Sequence, residues 1–189
     1  ICLIVSYSVF AQQDGGNRYL LLSWQAKAGD IQNGASISLD PSGWNRIKLP
    51  AQLPLENNAA WMYTEFDFND IPFQQPYYMV LGRIDAAYEV FLNNSFIASR
   101  GHIPTKSESF SLPGNQSACF LLPPGLVKTS GKNQLAIRFY SPARAVPLFS
   151  IQITDTKGAQ FENQVVSFLN ATLYTILAAL CGFIGLYFF

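Results

Sequence analysis

The sequence has little of what enzymatic chemistry most often draws on. One histidine stands among 189 residues, and no HExxH, GxSxG, CxxC, phosphate-loop or GxGxxG spacing occurs. Metal-assisted hydrolysis, serine hydrolysis and nucleotide binding therefore have no motif to rest on. Three cysteines are present, and two of them, Cys2 and Cys181, lie in apolar runs at the ends. Cys119 is left alone in the body of the chain, so no disulfide can staple that body and its core must hold it together. Set in Ala118-Cys119-Phe120-Leu121, the thiol reads as a small buried hydrophobe rather than a nucleophile. Net charge is missing too. Twelve basic and twelve acidic side chains cancel, which removes the term that dominates nucleic-acid affinity and argues against DNA or RNA as a partner. Disorder is excluded, because 49% of the residues are hydrophobic and the chain carries no net charge.

Charge is also absent from both ends: every charged side chain lies between Asp14 and Glu162. The first run, Ile1 to Phe10, is apolar and has the length of a signal-peptide core. Val9-Phe10-Ala11 then offers short residues at the cleavage positions, and polar Gln12-Gln13-Asp14 follows, so residues 1–11 are expected to be part of an export signal. The last run, Val165 to Phe189, holds no charge over a length that exceeds the roughly 20 residues needed to cross a bilayer core of about 30 Å. It is expected to be a transmembrane helix. Its small residues, from Ala171 to Gly185, would let neighbouring helices approach, although no GxxxG spacing is present. Asn170 lies near its outer end, where water or a neighbouring helix can satisfy it. An exported beginning puts the middle outside the cytoplasmic membrane, and further membrane and cytoplasmic domains are expected after Phe189. Glycosylation sequons occur at Asn93, Asn115 and Asn170, but they matter only in a eukaryotic secretory route. A disulfide-free exported domain fits a bacterial periplasm.

The middle, residues 18–157, reads as strands throughout. Proline and glycine interrupt it at short intervals, and the runs between them are rich in β-branched and aromatic residues. Trp61 to Phe68 alternates, with Trp61, Tyr63, Glu65 and Asp67 on one face and Met62, Thr64, Phe66 and Phe68 on the other. Gln134–Tyr140 alternates with Leu135, Ile137 and Phe139 inward. Leu148–Thr154 does so with Phe149, Ile151 and Ile153 inward. Tyr77–Leu81 is apolar on both faces, as a central strand covered on both sides would be. Tyr88–Leu92, Asn93-Asn94 and Ser95–Ser99 form a predicted hairpin, because asparagine tolerates the positive φ that a type I′ turn needs at both positions. Segments 35–39, 44–48 and 117–122 bring the count to about nine strands, which suits an antiparallel two-sheet sandwich of jelly-roll type.

Several pieces resemble a known family. Trp44 with Leu49-Pro50, Trp61-Met62-Tyr63 with Phe66, the stretch Leu81 to Asn94, Gly101, and Gly131 to Arg138 together resemble the galactose-binding-like jelly roll that serves as the sugar-binding domain of family 2 glycoside hydrolases. The likeness covers Trp44 to Tyr140. The hairpin departs from the family's usual Asn-Gly in having Asn93-Asn94, and Thr64 stands where an arginine often follows Trp-x-Tyr. Each piece also has a structural reading: Asn93-Asn94 turns one hairpin and Gly131-Lys132-Asn133 another, with Trp61 and Arg138 as core and sheet-face residues.

No catalysis is expected within this stretch, since in the resembling hydrolases the catalytic carboxylates belong to a separate barrel domain. Asp67-Phe68-Asn69-Asp70 groups oxygen ligands of the kind calcium takes, and jelly rolls of this kind often carry a structural calcium. Asp and Asn also cluster merely to turn the chain. No cofactor is expected, with a structural calcium at these residues as the alternative. For ligand binding the candidates are Arg100, His102 and Lys106, read as sharing one long loop beside Phe110, where cationic groups would suit an anionic or hydroxyl-rich ligand. Trp24 and Trp44 are candidate stacking faces.

Signal, jelly roll and span with almost no linker resemble the bacterial receptors in which an exported jelly roll precedes a seven-helix membrane region and a cytoplasmic output module such as a kinase, cyclase or phosphatase. The expected function is extracytoplasmic sensing of a small-molecule or carbohydrate ligand at the inner membrane, in contact with the lipid bilayer. The alternative is a non-catalytic carbohydrate-binding module of a membrane-anchored glycoside hydrolase.

Overall fold

The computed structural model describes residues 16–31, 43–71, 74–104, 111, 117–168, 175–176 and 178–181. The expected export signal, the expected strand at 35–39 and most of 165–189 lie outside the described residues. Among the described residues no helix is long and apolar enough to cross a membrane.

The architecture is an antiparallel sandwich. One sheet has four strands in the order β1 (Arg18–Leu20), β12 (Ile151–Thr154), β6 (Tyr78–Leu81), β9 (Ala118–Leu121). The other has six: β3 (Asn45–Lys48), β2 (Ser23–Ala28), β5 (Ala59–Asp67), β10 (Lys132–Tyr140), β7 (Ala87–Leu92), β8 (Ser95–Arg100). A two-stranded ribbon of β4 (Ala51–Pro54) and β11 (Ala145–Leu148) completes the strands. The chain then enters α1 (Thr156–Phe168), which packs on β12, β6 and β9.

Between the sheets lies the main core. Alternate residues of each strand point into it: Met62 and Phe66 from β5, Leu135, Ile137 and Phe139 from β10, Tyr88, Val90 and Leu92 from β7, Met79 and Leu81 from β6, Ile151 and Ile153 from β12. Each fully buried aliphatic among them contributes roughly 1.5–3 kcal/mol relative to exposure. β6 is covered on both sides, as its doubly apolar sequence requires, because α1 lies over the outer face of its sheet and Val80 is buried there. Asn93 and Asn94 take φ of 50° and 67°, the type I′ pair that the hairpin expectation called for. A second asparagine pair, Asn57-Asn58 at φ 51° and 65°, turns the chain into β5.

Three expectations change. Leu148–Thr154 is not one strand: β11 ends at Leu148, β12 begins at Ile151, and Phe149 between them is 62% exposed instead of inward. The chain leaves the ribbon for the four-stranded sheet at that point, so the alternation does not carry through. Gly131-Lys132-Asn133 does not close a hairpin either. It brings the chain across from β9, in one sheet, to β10, in the other. The third change concerns Trp61, which is only 2% exposed yet does not face the intersheet core. With Tyr63, Phe91 and Ala136 it builds a separate buried cluster on the outer face of the six-stranded sheet, joined by Ile31 and Trp44. Its ring stacks on Phe91 at 5.7 Å and its indole nitrogen donates to Asp30 Oδ1 at 3.2 Å.

Trp61→Ala should therefore cost roughly 3–5 kcal/mol, as for a large ring removed from a packed interior. Chemical denaturation followed by far-UV circular dichroism measures it. A loss below about 1 kcal/mol, the scale of a surface change, would mean that this outer cluster is not packed in solution.

Candidate functional site

The pleat arranges the outer face of the six-stranded sheet in cross-strand rows. One row runs Lys27, Trp61, Arg138, Glu89, Ser99. The next runs Arg46, Gln25, Tyr63, Ala136, Phe91, Phe96. In a third, Lys48 opposes Ser23 and Gln134 opposes Glu65.

The first row is filled by its own ion pairs. Arg138 Nε donates to Asp30 Oδ1 at 2.9 Å, Nη2 donates to Asp30 Oδ2, and Nη1 donates to Glu89 Oε2 at 3.1 Å. Burial acts to lower the Arg138 pKa, but the hydrogen bonds and charges of the two carboxylates outweigh it and hold the guanidinium charged more firmly than usual. Asp30 thereby ties the end of β2 across the sheet and roofs Trp61. Arg138 and Trp61, singled out from the sequence, both serve this closure.

The rows beyond it open into a cleft. β2 pairs with β5 from Ala28–Ala60 only as far as Gln25–Tyr63; Ser23 and Trp24 have no register partner on β5, and Thr64 Oγ1 donates to the Ser23 carbonyl at 2.9 Å. The opening has a volume of about 530 Å³, and Ser23, Gln25, Arg46, Lys48, Tyr63 and Glu65 line it. That size falls within the usual range for small-ligand sites, about 300–1,000 Å³. Trp44, half-buried, stands edge-on to Tyr63 at 6.4 Å. Within this lining Tyr63 Oη donates to Glu65 Oε1 at 2.7 Å, and Lys132 Nζ donates to Glu65 Oε2 at 2.9 Å from outside it. The Tyr63 and Lys132 bonds hold the Glu65 carboxyl below its ordinary range, while burial and the Glu65 hydrogen bond push the Tyr63 phenol well up. Near neutrality the one stays ionised and the other protonated, so this pair is set for hydrogen bonding rather than proton transfer.

Of the residues expected to bind ligand, Arg100 and His102 lie at the opposite edge of the sheet. Arg100 is the last residue of β8, not part of a loop, and its Nη1 donates to the Ser117 carbonyl at 2.9 Å. It also lies against Tyr88, whose phenol burial pushes up to about 12 while Arg100 pulls the other way. His102 forms an isolated bridge with Ser111. Lys106 and Phe110 lie outside the described residues. Arg100 and the cleft stand on opposite edge regions, separated by β10 and β7. Trp24 is buried in the core, its indole donating to the Leu21 carbonyl at 2.7 Å, so it offers no stacking face. Asp67 spends a carboxylate oxygen on the Asn69 amide at 2.9 Å, capping a short 3-10 turn. Among the described residues no three His, Cys, Asp or Glu side chains converge as a metal site would. Cys119 is half-buried, and burial, with Glu162 adding to it, pushes its thiol up to about 11.

Arg100→Ala should destabilise the fold by about 1.5–3 kcal/mol, the range for a hydrogen bond to a charged group, and leave binding at the cleft unchanged. Denaturation and ligand titration on the same variant check both halves. Unchanged stability with weakened binding would return Arg100 to the ligand site.

No family model and no curated protein matches the sequence. Solved structures do match the fold. A glycosyl hydrolase family 2 member from Bacteroides cellulosilyticus superposes with a TM-score of 0.56 at 16% identity over 73% of this chain and 20% of that one. A β-glucuronidase of Bacteroides uniformis gives 0.56 at 12% identity, over 72% of this chain and 17% of that one. For a β-glycosidase from Bacteroides vulgatus the values are 0.50 and 19%, over 71% and 20%. This chain thus spans no more than a fifth of the length of those enzymes. Identities this low establish a shared fold and nothing more: the chain has an all-β antiparallel sandwich like that of part of each of these enzymes.

Proposed function

We propose that the chain is an extracytoplasmic carbohydrate-sensing domain of a bacterial membrane signalling protein, without catalytic activity of its own. The observation that carries this reading is the join between sandwich and helix. A tethered module needs only a loose stalk. Here β12 ends at Thr154 and α1 begins at Thr156, with Asp155 alone between them.

That one residue is clasped. Its carboxylate accepts from the Gly158 amide at 2.8 Å, capping α1, and from the backbone and side-chain nitrogens of Asn17 at 3.1 and 3.0 Å. Thr154 Oγ1 donates to the Asn17 carbonyl at 2.7 Å. Gly16, at φ +73°, passes so close to Gly158 and Asp155 that a Cβ there would collide with both. One turn on, Arg18 pairs with Glu162 at 3.2 Å and lies over the Phe161 ring, while Ala159 is buried on the sheet. The helix leads directly toward the uncharged run 165–189, the expected span. A helix fixed to the sandwich in this way transmits displacement, as a sensor requires. The fold likeness to parts of a family 2 glycosyl hydrolase, a β-glucuronidase and a β-glycosidase supports a saccharide as ligand. The same likeness favours the second reading, an accessory carbohydrate-binding module of a membrane-anchored glycoside hydrolase.

Two measurements test the proposal. A reporter enzyme that is active only after export, fused after Phe161, should be active; a stable but inactive fusion would overturn the extracytoplasmic location. The clasp supplies the other. Burial acts to raise the Asp155 pKa, but its bonds from Gly158 and Asn17 outweigh that and depress it. A depressed carboxyl contributes stability above its unfolded pKa of about 3.9, lost as pH falls through the lower folded value. The clasp should be intact at neutrality and should loosen only below about pH 4. Asp155→Ala should free it at pH 7, at the cost typical of a lost helix cap, about 1 kcal/mol. Amide resonances of α1 report both, and in the full-length protein this variant should change output while ligand binding persists. Unchanged output would favour the tethered-module reading.

A further inference from the structure

We propose that the cleft over β3, β2 and β5 takes a negatively charged saccharide, its carboxylate held by Arg46 and Lys48. This rests on the carbohydrate reading above and names the ligand class of that same site.

The argument is one of unmatched charge. Arg46 and Lys48 stand two residues apart on β3, so both project from the outer face, opposite Gln25 and Ser23. Both are exposed, and among the described residues neither pairs with a carboxylate. The other cations of this face differ: Arg138 is held by two carboxylates and Lys132 by Glu65. Among the described residues lining the cleft Glu65 is the one acid, and its oxygens are already engaged by Tyr63 and Lys132 at 2.7 and 2.9 Å. It does not neutralise β3. The cleft is therefore left with two cationic donors lacking an acceptor, a hydroxyl on Ser23 and an amide on Gln25.

That set matches one kind of molecule. A carboxylate would receive charge-assisted hydrogen bonds from Arg46 and Lys48, roughly twice as strong as neutral ones. Ring hydroxyls would exchange bonds with Ser23 and Gln25. The half-buried Trp44 beside Tyr63 offers apolar surface at the rim. A neutral sugar would leave both cations unused, and a small free carboxylate would leave most of the volume empty. Lysine and arginine on an edge strand also deter edge-to-edge pairing, but that role needs no cleft and no hydroxyl or amide beside them.

The test is calorimetric titration of the whole chain in nanodiscs with four probes: digalacturonate, its dimethyl ester, neutral disaccharides and citrate. Digalacturonate should bind at least tenfold tighter than the uncharged ester, with affinity falling as salt rises. The Arg46→Gln, Lys48→Gln double variant should lose at least tenfold for digalacturonate while keeping its melting temperature, since both side chains are exposed. Glu65→Gln, which removes an opposing charge, should tighten binding a few-fold. Equal affinity for acid and ester, or a double variant that binds normally, overturns the acidic ligand; neutral disaccharide binding would then leave the carbohydrate reading standing. Citrate binding as tightly as digalacturonate overturns both. Binding of none of the four also overturns both.

Discussion

The structure depends most on the antiparallel ladder between β5 and β10, nine residues on each side, from Ala59–Tyr140 to Asp67–Lys132. Both strands are interior to the six-stranded sheet, so every partner on either side takes its register from them. Because side chains alternate, this register decides two faces at once. Met62, Phe66, Leu135, Ile137 and Phe139 fill the intersheet core. Trp61, Tyr63, Glu65 and Arg138 stand on the other side as the scaffold of the outer face. A slip of one residue would put Arg138 in the core and Ile137 in water. At the ladder's far end Asn133, fully buried, fixes the entrance to β10: it bonds the Lys128 amide and carbonyl at 2.9 and 2.8 Å and accepts from Asn93 at 2.9 Å. A buried amide satisfied by three hydrogen bonds to two residues specifies position in a way that another leucine could not.

The fold was legible wherever one strand face meets the core. Alternation in 61–68 and 134–140 and the Asn93-Asn94 turn carry the sandwich, and the resembling pieces fall on its strands and turns. Asn93 and Asn133, each in one of those pieces, turn out to bond one another, so part of the likeness records how the hairpin end is pinned. The strands that escaped detection had physical reasons to. β2 reads Ser-Trp-Gln-Ala-Lys-Ala, with no β-branched residue. β4 and β11 each contain a proline, tolerated because together they form a two-stranded ribbon. Gly101 and Pro104 made the end of β8 look like loop and hid that Arg100 is still in the sheet.

The site was less legible, because nothing local announces it. Trp61 reads as a core residue, and it is buried, but by Asp30 and Trp44 reaching across from distant sequence. Pattern alone cannot separate that from burial between the sheets. The cleft is harder still: it exists because β2 joins β5 only from Gln25 onward, leaving Ser23 and Trp24 without a register partner there, a divergence that no property of either strand encodes by itself. Its cations, Arg46 and Lys48, look in the sequence like ordinary polar positions of an edge strand. Only the observation that Glu65 is already engaged distinguishes them from solvated surface.

The two outer faces are also joined covalently by a short path. Segment 16–28 begins at the clasp around Asp155, runs through β1 in the four-stranded sheet, and crosses into the six-stranded sheet as β2. At the crossing the Leu21 amide donates to the Ile151 carbonyl, and the Leu22 carbonyl accepts from the Leu49 amide, each at 2.9 Å. Asn17, which holds the helix cap, and Ser23, which lines the cleft, are thus six positions apart in one continuous strap. Coupling between sites needs a contiguous element that both can bias. In the proposed sensor, a ligand drawn against Ser23 and Gln25 would pull on the strand whose other end, through Asn17 and Arg18, grips α1. The route from cleft to helix therefore follows one stretch of backbone, and Leu21 and Trp24, both buried in the intersheet core, couple that stretch to the packed interior.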